Sequence, residues 1–177
     1  ADVLAGWQVP DHRAIRVRHL LDHSSGLPAH ARLWEQGQGR AFYERAIRDL
    51  ALEQPPGAAS VYSDPGFMLL GFLVEDLGGA TLDVQFADWT RAWPTRDLRF
   101  LPPESWRNGT AATEFEPWRG RVLVGEVHDE NAAALGGVAG HAGLFGTGRA
   151  VGAYARHLFQ ILDGRTGVMA ESSLRRF

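Results

Sequence analysis

The chain has 177 residues, 45% of them hydrophobic, which is enough for one domain with a substantial core and does not fit a disordered protein. A formal charge of -3 without a long basic run argues against nucleic acid or an anionic membrane as the main partner and favours a small-molecule or peptide ligand. Cysteine is absent, so disulfides, thiolate metal sites and a cysteine nucleophile are excluded; all 18 basic residues are arginine, so a mechanism that needs lysine must import it.

No apolar segment reaches the length of a membrane span, and residues 1–7 lack the basic and apolar regions of a signal peptide. Residues 1–14 show no period and read as an irregular lead-in. Apolar residues at 17, 20 and 21 predict a short helix over 15–23, stopped by Ser24-Ser25-Gly26-Leu27-Pro28, with Gly26 suited to the position just past the helix. His19 and His23 stand four apart on one helical face. The zinc-protease pattern would need glutamate after the first histidine, where Leu20 stands, so packed, hydrogen-bonded histidines are the simpler reading. A second amphipathic helix runs over 41–52, with Phe42, Ala46, Ile47 and Leu50 on one side, and ends at Gln54-Pro55-Pro56-Gly57.

Next comes Val61-Tyr62-Ser63-Asp64-Pro65, which opens a largely apolar helix that closes at Gly78-Gly79. Ser63 and Asp64 suit an N-cap and Pro65 the first turn, so Tyr62 stands just outside the positive end of the helix dipole, where an anion is favoured. The phenol is either a packed ring whose hydroxyl finds a carbonyl or a chemical group. Thr81 or Asp83 opens a further helix through about Trp93. Residues 95–118 are rich in Pro, Arg and Trp without a period, a long irregular run of the kind that borders sites, with Trp106 and Trp118 as packing anchors. Residues 121–131 begin as a strand and end in a polar turn, where His128, Asp129 and Glu130 read as solvated charges.

The stretch 136–148 is glycine-rich. Gly143 and Gly148 have the separation of a phosphate loop, but Arg149 and Ala150 follow where lysine and a hydroxyl residue belong. A backbone that needs positive φ or close approach by a ligand remains as the reading. Thr147 then caps a helix to about Leu162, and Glu171-Ser172-Ser173 starts a last one. There is no repeat and no convincing linker.

Four stretches stand in one order: Val17-Arg18-His19-Leu20-Leu21-Asp22-His23-Ser24-Ser25-Gly26-Leu27, Tyr62-Ser63-Asp64, Gly125-Glu126-Val127-His128-Asp129-Glu130-Asn131-Ala132, and Gly137-Val138-Ala139-Gly140-His141-Ala142-Gly143-Leu144-Phe145. Together they resemble the serine β-lactamase-like family, which includes class C β-lactamases, D-alanyl-D-alanine carboxypeptidases and related esterases. The resemblance implies an α/β fold, an α+β sandwich of which this chain carries mainly the helical region. It implies a serine acyl hydrolase acting through an acyl-enzyme on an ester, a D-alanine-terminated peptide or a β-lactam, without a cofactor or metal. A non-catalytic module of the same fold, binding cell-wall peptide or a partner protein, is the alternative.

In that family a serine nucleophile lies in Ser-x-x-Lys, and a Lys-Thr-Gly or His-Thr-Gly strand comes near the end. A chain without lysine, and without His-x-Gly after residue 148, cannot hold either element. The resemblance therefore implies that residues 1–177 are one partial domain, with the nucleophile region and the C-terminal strands elsewhere. Tyr62 takes the place of the family's catalytic tyrosine, and Asp64 replaces the usual asparagine, so contact with a donor is favoured there. His30 corresponds to a substrate-pocket segment, with a plain surface histidine as the other reading, and His141 to the rim where the chain passes the substrate. The same resemblance favours a periplasmic or extracellular location and leaves the cytoplasm open. A partial domain of this kind is expected to expose apolar faces and to self-associate.

Overall fold

The computed structural model describes residues 10–91, 97–165 and 170–175. Its seven α-helices, among the described residues, are α1 (Val17–Leu21), α2 (Arg40–Arg48), α3 (Asp64–Gly78), α4 (Leu82–Thr90), α5 (Glu130–Ala134), α6 (Gly148–Leu162) and α7 (Glu171–Leu174). Among the described residues four short strands, β1 (Leu98–Phe100), β2 (Phe115–Glu116), β3 (Arg121–Val122) and β4 (Leu144–Gly146), form two antiparallel pairs, β1 with β4 and β2 with β3. This is a mainly helical α/β arrangement.

Helix α3 is the centre. Its run from Met68 to Leu73 is buried all round, as an apolar sequence without a polar face requires. Leu20 of α1, Tyr43 and Ile47 of α2, and Leu27 and Leu33 of the connecting segment share one core with it. Burying each such aliphatic side chain contributes about 1.5–3 kcal/mol. The start of α3 follows its sequence closely: Ser63 is the N-cap, its oxygen accepts from the Gly66 amide at 3.2 Å, and its hydroxyl donates to the Pro28 carbonyl at 2.8 Å. Gly79 ends the helix in the left-handed conformation, φ 68°.

Several boundaries differ from the sequence reading. The first helix covers Val17–Leu21 rather than 15–23, and the left-handed residue after it is His23 (φ 58°). Gly26 is also left-handed (φ +82°), but a Cβ there would lie 2.1 Å from the Gln54 carbonyl oxygen, so close approach between two loops is its second constraint. The second helix stops at Arg48 instead of reaching 52, and α4 ends at Thr90, while Trp93 and Pro94 lie outside the described residues. Residues 10–14 of the expected irregular lead-in form a 3-10 helix. The expected irregular run after residue 95 contains β1, a 3-10 helix Glu104–Gly109 and β2; strands of two or three residues are too short for alternation to show in sequence. Trp118 is no buried anchor: it is 46% exposed, with the Arg119 guanidinium over its ring. Thr147 caps α6 as expected, accepting from the Ala150 amide.

The glycine-rich stretch meets α3 at close range. A Cβ on Gly140 would lie 2.0 Å from the Phe67 carbonyl oxygen, and one on Gly71 would lie 3.0 Å from the Gly140 nitrogen. Gly136, Gly137 and Gly143 have positive φ. The crossing spans Phe67 to Gly71, within the first two turns of α3.

Candidate active site

Tyr62 sits immediately before the N-cap of α3 and is 61% exposed. Its backbone is fixed on both sides by the first histidine-bearing turn, since the Val61 amide donates to the His23 carbonyl (2.9 Å) and the Ser63 amide to His23 Nδ1 (3.1 Å). The His23 and Tyr62 rings are 4.8 Å apart, and His23 stacks on Phe67 at 4.6 Å. His19, the other histidine of the four-residue pair, is buried and turns to its own helix, where its Nδ1 accepts from the Arg16 amide at 3.2 Å.

Two carboxylate–imidazole pairs flank the tyrosine. Asp64 Oδ2 lies 2.5 Å from Nδ1 of His30; the carboxylate is 12% exposed and the imidazole 73%. Asp129 Oδ1 lies 2.9 Å from Nε2 of His141, whose side chain is only 2% exposed. Asp129 also accepts from the Ala132 amide at 2.7 Å and so caps α5. The expectation that Asp129 is a solvated turn charge is therefore corrected. The missed signal is an aspartate directly before Glu130-Asn131-Ala132-Ala133-Ala134, an N-cap followed by good helix formers.

The loop that delivers Asp129 is held by Arg119, which donates to the Val127 and His128 carbonyls at 2.8 and 2.7 Å and is itself paired with Glu116. Asn131, two residues on, is buried and hydrogen-bonded: it accepts from the Tyr43 hydroxyl and the Trp34 amide and donates to the Ala31 carbonyl.

Electrostatics at the phenol run against the dipole argument. Partial desolvation, then the negative charges of Asp64 and Asp129, and a hydrogen bond to Asp64, all hold the Tyr62 pKa above the ordinary phenol range. Among the described residues Tyr62 is thus a neutral hydroxyl donor, and the anion favoured by the helix end is replaced by Asp64 itself. Burial opposes ionisation of Asp129, but the His141 hydrogen bond, the Ala132 amide and the charges of His141 and His128 hold its carboxyl below the usual range.

The structure thus gathers Tyr62, Asp64 and His30 at one end of α3, with Asp129 close enough to act on the phenol electrostatically. His141 is brought to Asp129 and presents its enclosed ring to that carboxylate. His23, considered in sequence only as a metal ligand or a packed residue, is a neighbour of the phenol.

Residues 1–176 match the family model described as Beta-lactamase. The chain belongs to the β-lactamase family. It is a family of serine acyl hydrolases, and the order of motifs in this β-lactamase-family chain follows from that membership. An Escherichia coli K12 protein provisionally named a D-alanyl-D-alanine carboxypeptidase is 34% identical over 157 residues, covering 74% of this chain and 35% of the relative. A Bacillus subtilis protein named N-acetylmuramyl-L-alanine amidase is 32% identical over 166 residues, with the same shares of 74% and 35%. The chain spans about a third of the length of these curated relatives. A class C β-lactamase from Rhodobacter sphaeroides superposes with a TM-score of 0.68 at 14% identity, covering 99% of this chain and 46% of that one, a likeness of fold.

Proposed function

We propose that this chain is the tyrosine-bearing, mainly helical part of a longer serine acyl hydrolase that works through an acyl-enzyme on an ester, a D-alanine-terminated peptide or a β-lactam. The observation that carries the reading is the placement of Tyr62 at the mouth of the buried helix, exposed, beside Asp64. The absence of lysine and the 35% share of each relative's length support a nucleophile and a lysine supplied from outside these residues. In such a step the serine oxygen bonds to the substrate carbonyl carbon, the bond from that carbon to the leaving group breaks, and the serine proton passes by way of Tyr62 and the lysine to the departing group. Water then attacks the acyl carbon, the acyl–serine bond breaks, the serine oxygen regains a proton from the water by the same route, and the acid is released. A phenol held neutral is a donor; a lysine ammonium beside it offsets the two carboxylates and lets it exchange protons in both directions.

Asp64 and His30 are the proposed substrate contacts at this end of the cleft, and His141 acts on the rim by way of Asp129. The names of the relatives favour a peptide of the cell wall as substrate and, with it, a periplasmic or extracellular location. In the full protein Tyr62→Phe is expected to lower acyl transfer at least ~100-fold through lost acid–base help. Unchanged turnover of a chromogenic ester and a cephalosporin removes Tyr62 from the mechanism. The purified 177-residue chain is expected to hydrolyse neither.

Asp64, where the family carries an asparagine, paired with His30 beside the phenol, favours one further reading, a non-catalytic module that keeps the fold to bind cell-wall peptide or a partner protein. The reading frame upstream of Ala1 separates the two: an intact Ser-x-x-Lys that forms an adduct with labelled penicillin or fluorophosphonate supports the enzyme, and a damaged one supports the binder.

A further inference from the structure

His23 touches Tyr62 in three ways, and none of them belongs to the carboxylate–imidazole pairs described above. Its carbonyl accepts from the residue before the tyrosine (Val61, 2.9 Å), its Nδ1 accepts from the residue after it (Ser63, 3.1 Å), and its ring lies 4.8 Å from the phenol ring. One residue therefore holds both peptide neighbours of Tyr62 and borders its side chain.

The backbone of His23 is in the left-handed region at φ 58°, which costs a non-glycine residue free energy and persists only where the surroundings enforce it. Here they do. Asp22 accepts from the Ser24 amide (3.0 Å) and hydroxyl (2.5 Å), the Ser60 hydroxyl donates to the Asp22 carbonyl (2.6 Å), and the Gly57 amide donates to the Ser24 carbonyl (2.8 Å). The turn is locked to the strand-like segment that carries the tyrosine, and Phe67 stacks against the imidazole from within α3.

We infer that His23 is a positioning residue for Tyr62, acting as a neutral imidazole with its proton on Nε2. The tautomer follows from chemistry: a backbone amide can only donate, so the nitrogen that meets it must present a lone pair. A proton on Nδ1, from the other tautomer or from the imidazolium, sets two N–H groups against each other and opens the bracket at Ser63. Since Ser63 is also the N-cap of α3, that opening moves the phenol relative to the helix end it guards. The inference rests on the reading of Tyr62 as the proton-transferring group.

Two variants and one spectroscopic readout test it in the full protein. With 15N-labelled histidine, long-range proton–nitrogen spectra are expected to show His23 Nδ1 as an unprotonated acceptor and Nε2 as the protonated nitrogen near neutral pH. His23→Ala removes the acceptor and the ring; the Ser63 amide is expected to exchange with solvent up to about tenfold faster, the scale of one lost hydrogen bond. His23→Asn keeps an acceptor oxygen and tolerates left-handed backbone, so it is expected to retain Ser63 protection and most of the acylation kcat that His23→Ala loses, with KM little changed in both.

A protonated Nδ1 in the wild type, or equal Ser63 protection in wild type and His23→Ala, overturns the inference without the need for a folded variant. Acylation lost in Tyr62→Phe but intact in His23→Ala also overturns it. Acylation unaffected by Tyr62→Phe, with the tautomer and Ser63 protection as stated, instead overturns the proposed reaction and supports the bracket.

Discussion

Gly140 crosses helix α3 so closely that a Cβ on it would stand 2.0 Å from the carbonyl oxygen of Phe67, a distance that real side chains do not reach. This contact joins the glycine-rich stretch to the buried helix and gives its glycines a packing reason that needs no bound phosphate. The glycines serve backbone approach and positive φ, and the chemistry is left to the side chains at the helix mouth.

Gly140→Ala must displace backbone and is expected to destabilise by about 1–3 kcal/mol or more, as overpacking does. Gly71→Ala, with its nearest neighbour at 3.0 Å, is expected to cost less, and Gly148→Ala, which meets nothing within 4 Å at the first position of α6, to be neutral or slightly stabilising. Urea midpoints of the three variants check the order; equal midpoints for Gly140→Ala and wild type contradict the crossing.

Ser63→Ala takes the N-cap oxygen from the Gly66 amide and the donor from the Pro28 carbonyl, in a residue that is 1% exposed. A loss of about 1–2 kcal/mol is expected, at the upper end for a cap because the site is dry. Chemical denaturation measures it, and a loss below ~0.3 kcal/mol counts against Ser63 as the cap.

The Tyr62 phenolate is expected to appear above the ordinary phenol range, because partial desolvation disfavours it, Asp64 and Asp129 repel it, and Asp64 accepts its proton in a hydrogen bond. Asp64→Asn removes one negative charge and lowers that titration. Near-ultraviolet titration of each protein, with the Tyr62→Phe curve subtracted to remove the other tyrosines, reads the shift. An unchanged or raised value in Asp64→Asn refutes the electrostatic assignment.

Asp129 has its carboxyl pKa depressed in the folded state, chiefly by His141 and the Ala132 amide acting against burial. Folding therefore gains stability from it above the unfolded-state carboxyl pKa of about 4, and loses that gain as pH falls through the lower folded value. The difference in unfolding free energy between wild type and Asp129→Asn is expected to be constant near neutrality and to shrink as pH falls below about 4. A pH-independent difference removes the linkage.

Leu77, Phe115, Val151 and Phe159 are exposed and apolar. If these faces meet the rest of a longer domain, as proposed, the 177-residue chain self-associates when purified and the longer protein does so less. Sedimentation over a range of concentrations decides between them, and a strictly monomeric 177-residue chain argues against an incomplete domain.

Local rules placed much of this chain correctly. The Ser63 cap, the glycine stop at 79, the Thr147 cap and the burial of 68–73 need only neighbours in sequence: a hydroxyl before a helix finds its amide, and a helix that is apolar all round packs inside. The absence of lysine and cysteine likewise restricts the chemistry open to these residues. What tertiary structure alone decided are relations between distant residues. His23 reaches the Ser63 amide across 40 positions, Asp129 caps one helix while it bears on a phenol 67 positions earlier, and Trp118 turns outward. Such pairings leave no period in the sequence, because they depend on where packed elements bring backbone donors and charges, and the same packing turned the expected anion-favouring helix end into a place where the phenol keeps its proton.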